Sequence, residues 1–221
     1  MNRKKSKATH YYPIFLNMSG KKCVVVGGGK VALRKVEMLL DCGTDVTVVS
    51  PKPCPEIVKS SKNGLIRLVR RDYEAGDLKD AVIAMVCTNV KKVNRKVADE
   101  AKKAAVLVNV ADNPETSDFI IPSFFRRENL TIAVSTSGVS PALARKIRAK
   151  LEKSFGEEYG SLLSIIGKVR STIKEKGIIV GVEAWQDALD LDLLIRLVKA
   201  GQGEKAKAFL LSKLRASERR R

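Results

Sequence analysis

The segment CVVVGGGKVALRKVEMLL, residues 23–40, constrains the fold more than any other. A β-branched run favours extended backbone. It breaks into three consecutive glycines, which give up backbone order that any other residue would keep, so the bare peptide must serve a purpose there. The apolar residues that follow recur with helical period. Strand, tight turn and helix are therefore predicted in that order. Gly27, Gly29 and Ala32 fit the spacing G-x-G-x-x-A. In that pattern the first glycine permits the turn, the second lets backbone approach a pyrophosphate, and the small third residue brings helix against sheet. Unpaired N–H groups and the positive dipole end of the helix then face the phosphates. Isolated, such a motif is weak evidence, because a tight turn that binds nothing uses the same residues. Its surroundings decide.

Those surroundings alternate. DVTVVSP, LIRLVRR, DAVIAMVCTN and VLVNVADNP read as further strands, and PEIVKSSKNG and KKVNRKVADEAKKA as helices between them. Strands apolar on both faces and separated by helices predict a parallel sheet covered on both sides, an α/β doubly wound fold of the Rossmann type. Near Pro114 the alternation stops. DFIIPSFFRRENLTIAVSTSG reads as two strands joined by a polar turn at residues 127–129, and SPALARKIRAKLEKSF as a helix with Ser140 at its N-cap and Pro141 at its first position. The remainder is helical in period, with Trp185 and Phe209 as packing residues. The expected division is a nucleotide-binding domain over residues 1–121, a small α+β segment over 122–155 and a helical domain over 156–221.

A length of 221 residues allows one or two domains, and no apolar run approaches the roughly 20 residues of a membrane span. The N-terminus is basic but lacks the apolar core of a secretory signal, so it reads as a mobile arm and the protein as cytoplasmic. Cys23, Cys42, Cys54 and Cys87 form no CxxC pair, and packing is their expected role. The single histidine, His10, falls in the arm, so no imidazole cluster is available and any metal chelation must rely on carboxylates. The formal net charge of +18 favours an anionic partner. Nucleic acid is not expected, because basic and acidic residues interleave in the tail, aromatics are only 5%, and no binding motif appears. Residues 122–150 hold six basic side chains and a single acidic one, Glu128.

In a doubly wound sheet the ligand lies at the carboxyl ends of the strands. The candidates there are Gly27, Gly28, Gly29, Lys30 and Val31 on the first turn, Ser50, Pro51 and Lys52 after the second strand, and Thr88 and Asn89 after the fourth. The acidic residue that usually holds the ribose 2′-OH of NAD is missing from VTVVSPK. Ser50 can bond a ribose hydroxyl and Lys52 a 2′-phosphate, so NAD against NADP stays open on this ground alone. Thr88 and Asn89 read equally as a polar turn. Asp112, at the end of VLVNVAD, reads as a carboxylate facing the crevice or as the cap of a turn with Asn113 and Pro114. Asp118 is a weaker candidate that reads equally as a solvated edge.

With VVVGGGKVALRK, VNVADNPETSDFIIPS and AVSTSGVSPALARKIR in that order, the chain resembles the precorrin-2 dehydrogenase family, the first module of sirohaem synthases. The likeness runs from Tyr12 to about Phe155. It implies NAD as cofactor and oxidation of precorrin-2 to sirohydrochlorin, followed in some members by insertion of ferrous iron. It also implies a homodimer paired through the 122–155 segment, and it makes Asp112 the residue tied to dehydrogenation and chelation. An octacarboxylate tetrapyrrole suits the basic residues Arg126, Arg127, Arg145, Lys146 and Arg148, and the hydroxyls and amides of Ser135, Thr136 and Ser137 suit its acetate or propionate arms. No methyltransferase-like segment follows Ser217, so precorrin-2 is expected from a separate protein. The alternative is an NAD-sensing module without turnover.

Overall fold

The computed structural model describes residues 11–111 and 113–218. His10 and the candidate carboxylate Asp112 lie outside the described residues. The chain forms two compact units divided between Ile121 and Pro122.

The first unit is a five-stranded sheet, all parallel, of β1 (Lys22–Val26), β2 (Asp45–Val49), β3 (Arg67–Val69), β4 (Ile83–Val86) and β5 (Leu107–Val110), in the order β3-β2-β1-β4-β5. Helices α1 (Lys30–Leu40), α2 (Pro55–Lys62) and α3 (Lys91–Lys103) form the crossovers after β1, β2 and β4. Alternate residues of each strand serve opposite cores, as the two-residue period of a strand dictates. Cys23, Val25, Val46, Val48, Ile83 and Met85 pack with Ala32, Val36 and Leu39 of α1 and Ile57 of α2. Val24, Val26, Ala84, Val86, Val108 and Val110 pack with Val97 and Ala101 of α3. Cys23 is fully buried, and burial pushes its thiol up to about 12, which keeps it protonated and inert.

The crossover from β3 to β4 has no helix. Buried Tyr73 and Leu78 fill the core there instead. The connection is held by charge: both terminal nitrogens of Arg71 donate to the Asp77 carboxylate, at 2.8 and 2.7 Å, and Asp77 also accepts the Glu74 amide. Tyr73 donates its hydroxyl to Glu100 of α3, whose second oxygen accepts the Gly76 amide. The Arg71 hydrogen bonds hold the Asp77 carboxyl below its ordinary value. A carboxyl lowered in the folded state stabilises the fold above its unfolded pKa, and that stability is lost as pH falls through the folded pKa. Asp77→Asn is therefore expected to cost about 1–2 kcal/mol at pH 7, allowing for the solvent exposure of Arg71. The gap between variant and parent, measured by denaturant unfolding, should shrink below about pH 4; a gap independent of pH would contradict the assignment.

The free edge of β5 is covered by the returning chain, which removes an unpaired strand edge. The Val108 amide donates to the Asp118 carboxylate at 2.9 Å and its carbonyl accepts the Asp118 amide at 2.8 Å. The Val110 amide donates to Ser117 Oγ, and the Asn109 side chain donates to the Phe119 carbonyl, both at 2.9 Å.

The second unit opens with an antiparallel hairpin, β6 (Ser123–Arg127) and β7 (Leu130–Val134), followed by α4 (Pro141–Ser154). Ser140 caps α4, accepting the Leu143 amide at 3.2 Å, with Pro141 in the first turn. Helices α5 (Glu157–Glu175), α6 (Val182–Ala188), α7 (Leu191–Lys199) and α8 (Gly203–Glu218) share a core around Leu162, Val169, Leu194, Leu210 and Leu214, with Trp185 and Phe209 packed against it.

Candidate functional site

The strand order reverses between β1 and β4, so the loops leaving these two strands part there and open a crevice at the carboxyl edge of the sheet. The three glycines meet that edge differently. Gly27 has φ +121°, a conformation side chains rarely adopt, and its amide donates to the Val49 carbonyl at 2.9 Å. A Cβ on Gly27 would stand 2.4 Å from the Cys87 carbonyl oxygen. Gly28 is buried against the loop after β2: a Cβ there would lie 2.5 Å from Ser50 Oγ and 2.6 Å from Pro53 Cα. Its carbonyl accepts the Cys54 amide at 2.8 Å. Gly29 is exposed, and a Cβ on it would have no protein atom within 4 Å.

Gly29 is also the N-cap of α1 and supplies no side-chain cap. The first helical bond runs from the Leu33 amide to the Gly29 carbonyl at 3.0 Å, so the amides of Lys30, Val31 and Ala32 precede the helical ladder and have no acceptor within it. No acidic residue stands in this first turn. Ala32 is fully buried, letting α1 approach the sheet. Open space above Gly29 and uncapped amides at a helix N-terminus fit the diphosphate of a dinucleotide. Lys30 and Val31 are exposed beside it.

Gly28 thus packs closely against the turn after β2. Gly28→Ala is expected to lower unfolding free energy by about 1–3 kcal/mol through overpacking, since the backbone at Pro53 must give way. A shifted denaturant midpoint would show it. Unchanged stability would contradict the close approach.

Ser50 takes part in the turn after β2. It is 4% exposed, and its Oγ accepts the Lys52 amide at 3.3 Å, which helps to organise the turn. Pro51 and Lys52 are exposed. Thr88 likewise holds its own loop: Oγ1 donates to Asn94 Oδ1 at 2.9 Å and accepts the Val90 amide at 3.0 Å, while the Asn94 side chain donates back to the Thr88 carbonyl at 3.0 Å. Asn89, between them, is exposed on the rim. Asn94 shapes this rim and had no signal in the sequence beyond a polar residue early in a helix.

On the fifth strand the residues flanking Asp112 are fixed. The Ala111 amide donates to the Val86 carbonyl at 2.8 Å and the Asn113 amide to the Val110 carbonyl at 3.1 Å. Ser117 Oγ donates to the Asn113 carbonyl at 2.8 Å. Asp118 is exposed at the edge of β5, where its carboxylate accepts the Val108 amide.

In the second unit the loop after β7 is tied internally. Ser135 Oγ accepts the Ser137 amide at 3.0 Å and Thr136 Oγ1 the Ser140 amide at 3.1 Å. The basic residues of this unit divide. Arg127 pairs with Glu152 and Glu157 while lying over the Phe125 ring, and Arg148 pairs with Glu152, so these two are structural. Arg126 lies over Phe124. Arg145 and Lys146 are exposed and enter none of the ion pairs found among the described residues.

Comparison with known proteins agrees with this geometry. A family model for NAD(P)-binding domains matches residues 14–123, and the model for the central segment of sirohaem biosynthesis proteins matches residues 127–154. The chain belongs to the precorrin-2 dehydrogenase family, the N-terminal module of sirohaem synthases. It is 38% identical to the sirohaem synthase of Nitrosococcus oceani over 204 residues, which is 90% of this chain and 43% of that protein. To the sirohaem synthase of Methylobacillus flagellatus it is 40% identical over 164 residues, 74% of this chain and 35% of that one. The chain thus spans less than half the length of these relatives. Among solved structures it resembles SirC, a precorrin-2 dehydrogenase, with a TM-score of 0.70 and 28% identity over 92% of this chain and 98% of that one.

Proposed function

We propose that this chain oxidises precorrin-2 to sirohydrochlorin with NAD⁺ as the acceptor. The observation that carries the reading is the open, uncapped start of α1 over Gly29, at the point where the strand order reverses, in a chain of this family. The amides of Lys30, Val31 and Ala32 hold the diphosphate, while Gly27 and Gly28 fix the loop by their close approach to Cys87, Ser50 and Pro53. Bound there, NAD⁺ would supply the hydride acceptor.

The oxidation removes one hydride and one proton from the tetrapyrrole, and a carboxylate accepts the proton. Asp112 has that role. What supports the reading is the family resemblance and the anchoring of its sequence neighbours, Ala111 to Val86 and Asn113 to Val110. Arg145 and Lys146, free of ion pairs among the described residues, and the amides and hydroxyls of the Ser135–Ser137 loop bind substrate carboxylates. A chelation step with ferrous iron would rest on Asp112, since no group of three or more His, Cys, Asp or Glu side chains is arranged for a metal among the described residues.

Pairing of two copies through the second unit is part of the same reading. Val139, just before the Ser140 cap, and Leu143 and Ile147 within α4 are 89%, 50% and 38% exposed, apolar side chains that a second copy would bury. Mixing the protein with precorrin-2 and NAD⁺ tests the activity. Reduced nicotinamide should appear in step with sirohydrochlorin. Binding of NAD⁺ without reduction, with precorrin-2 verified independently, would replace the enzyme by a sensing module.

A further inference from the structure

The end of β2 decides which dinucleotide a doubly wound domain prefers. A carboxylate there bonds the ribose 2′-OH and repels a 2′-phosphate. This chain has Val49, Ser50, Pro51 and Lys52 at that place, with no acidic residue among them. The hydroxyl in this turn, Ser50, is buried and accepts the Lys52 amide. No carboxylate in this turn therefore selects against a 2′-phosphate.

Lys52 occupies the same turn with its side chain exposed. Its carbonyl oxygen lies 2.8 Å from where a Cβ on Gly28 would stand, so its backbone packs directly on the glycine loop. The acidic side chain that follows, Glu56 in the first turn of α2, is exposed, and its own backbone amide and Cys54 hold its carboxyl below its ordinary value, so it stays charged. The rim beside the diphosphate site carries Lys30 and Lys52, both exposed.

We propose that the cleft accepts NADP⁺ as well as NAD⁺, with Lys52 as the residue that meets the 2′-phosphate. The proposal rests on the cofactor reading above and adds to it the basis of dinucleotide choice. An exposed ammonium–phosphate pair is screened by salt, so the acceptance of NADP⁺ should be strongest at low ionic strength.

Titrating the protein with NAD⁺ and NADP⁺ separately, at low salt and again at about 0.5 M salt, tests this. The expected result is NADP⁺ affinity within about tenfold of NAD⁺ at low salt, with the difference widening against NADP⁺ as salt rises. In Lys52→Ala the ratio of NADP⁺ to NAD⁺ dissociation constants should rise about fivefold to tenfold, and further in Lys52→Glu. NAD⁺ binding with NADP⁺ more than tenfold weaker at low salt would overturn the proposal and leave the cofactor site standing. A ratio unmoved by either substitution would overturn the role of Lys52. Failure of both dinucleotides to bind would reject the cofactor site itself.

Discussion

Valine at Gly29 leaves the fold in place and removes most of the NAD⁺ affinity. The position has φ −87° and ψ −172°, extended backbone that a β-branched residue adopts readily, and no protein atom within 4 Å of a new Cβ. Loss of a favourable N-cap residue costs about 1 kcal/mol of stability. The added methyls fill the space through which a diphosphate reaches the helix amides, so two or three charge-assisted hydrogen bonds fail to form. At about 1.5–3 kcal/mol each, their loss weakens binding at least a hundredfold. Calorimetric titration alongside circular dichroism separates the two effects. Undiminished affinity in a folded variant would mean that the glycine loop is a turn and nothing more. The contrast with Gly28→Ala, whose cost falls on stability, makes the pair diagnostic: adjacent glycines, one facing solvent and one facing the Ser50–Pro53 turn.

The second large effect is expected at Asp112. Asparagine preserves its size and removes its capacity to take a proton, so Asp112→Asn should lower the rate of precorrin-2 oxidation by about 10²- to 10⁴-fold. Dinucleotide affinity should persist, because the phosphate-binding amides belong to α1. Steady-state oxidation with a parallel NAD⁺ titration checks both halves. Unchanged turnover would remove Asp112 from the chemistry.

The sheet was legible because its strands carry two-sided apolar runs and its helices carry period: CVVV, VTVV and VIAMV became β1, β2 and β4, and KVALRKVEMLL became α1. Ser140 and Pro141 announced α4 by the same local logic. The helix-less crossover between β3 and β4 was not legible, since the pairing of Arg71 with Asp77 and of Tyr73 with Glu100 depends on residues that only the folded chain brings together. Within the site, the motif identified the glycines but could not tell which faces the ligand. That distinction rests on the turn at residues 50–53, far along the sequence from Gly28. Ser50 and Thr88 were visible as polar residues at strand ends, but not that Ser50 accepts the Lys52 amide or that Thr88 bonds Val90 and Asn94. Arg127 and Arg148 looked available to an anionic substrate until Glu152 and Glu157, beyond the basic segment, were seen to pair with them.

The most direct measurement is a structure of the protein with NAD⁺ bound. The diphosphate should lie over Gly29, accepting hydrogen bonds from amides of the first turn of α1, with the adenosine ribose toward Lys52. A dinucleotide seated elsewhere, with the space above Gly29 closed by side chains, would contradict the account.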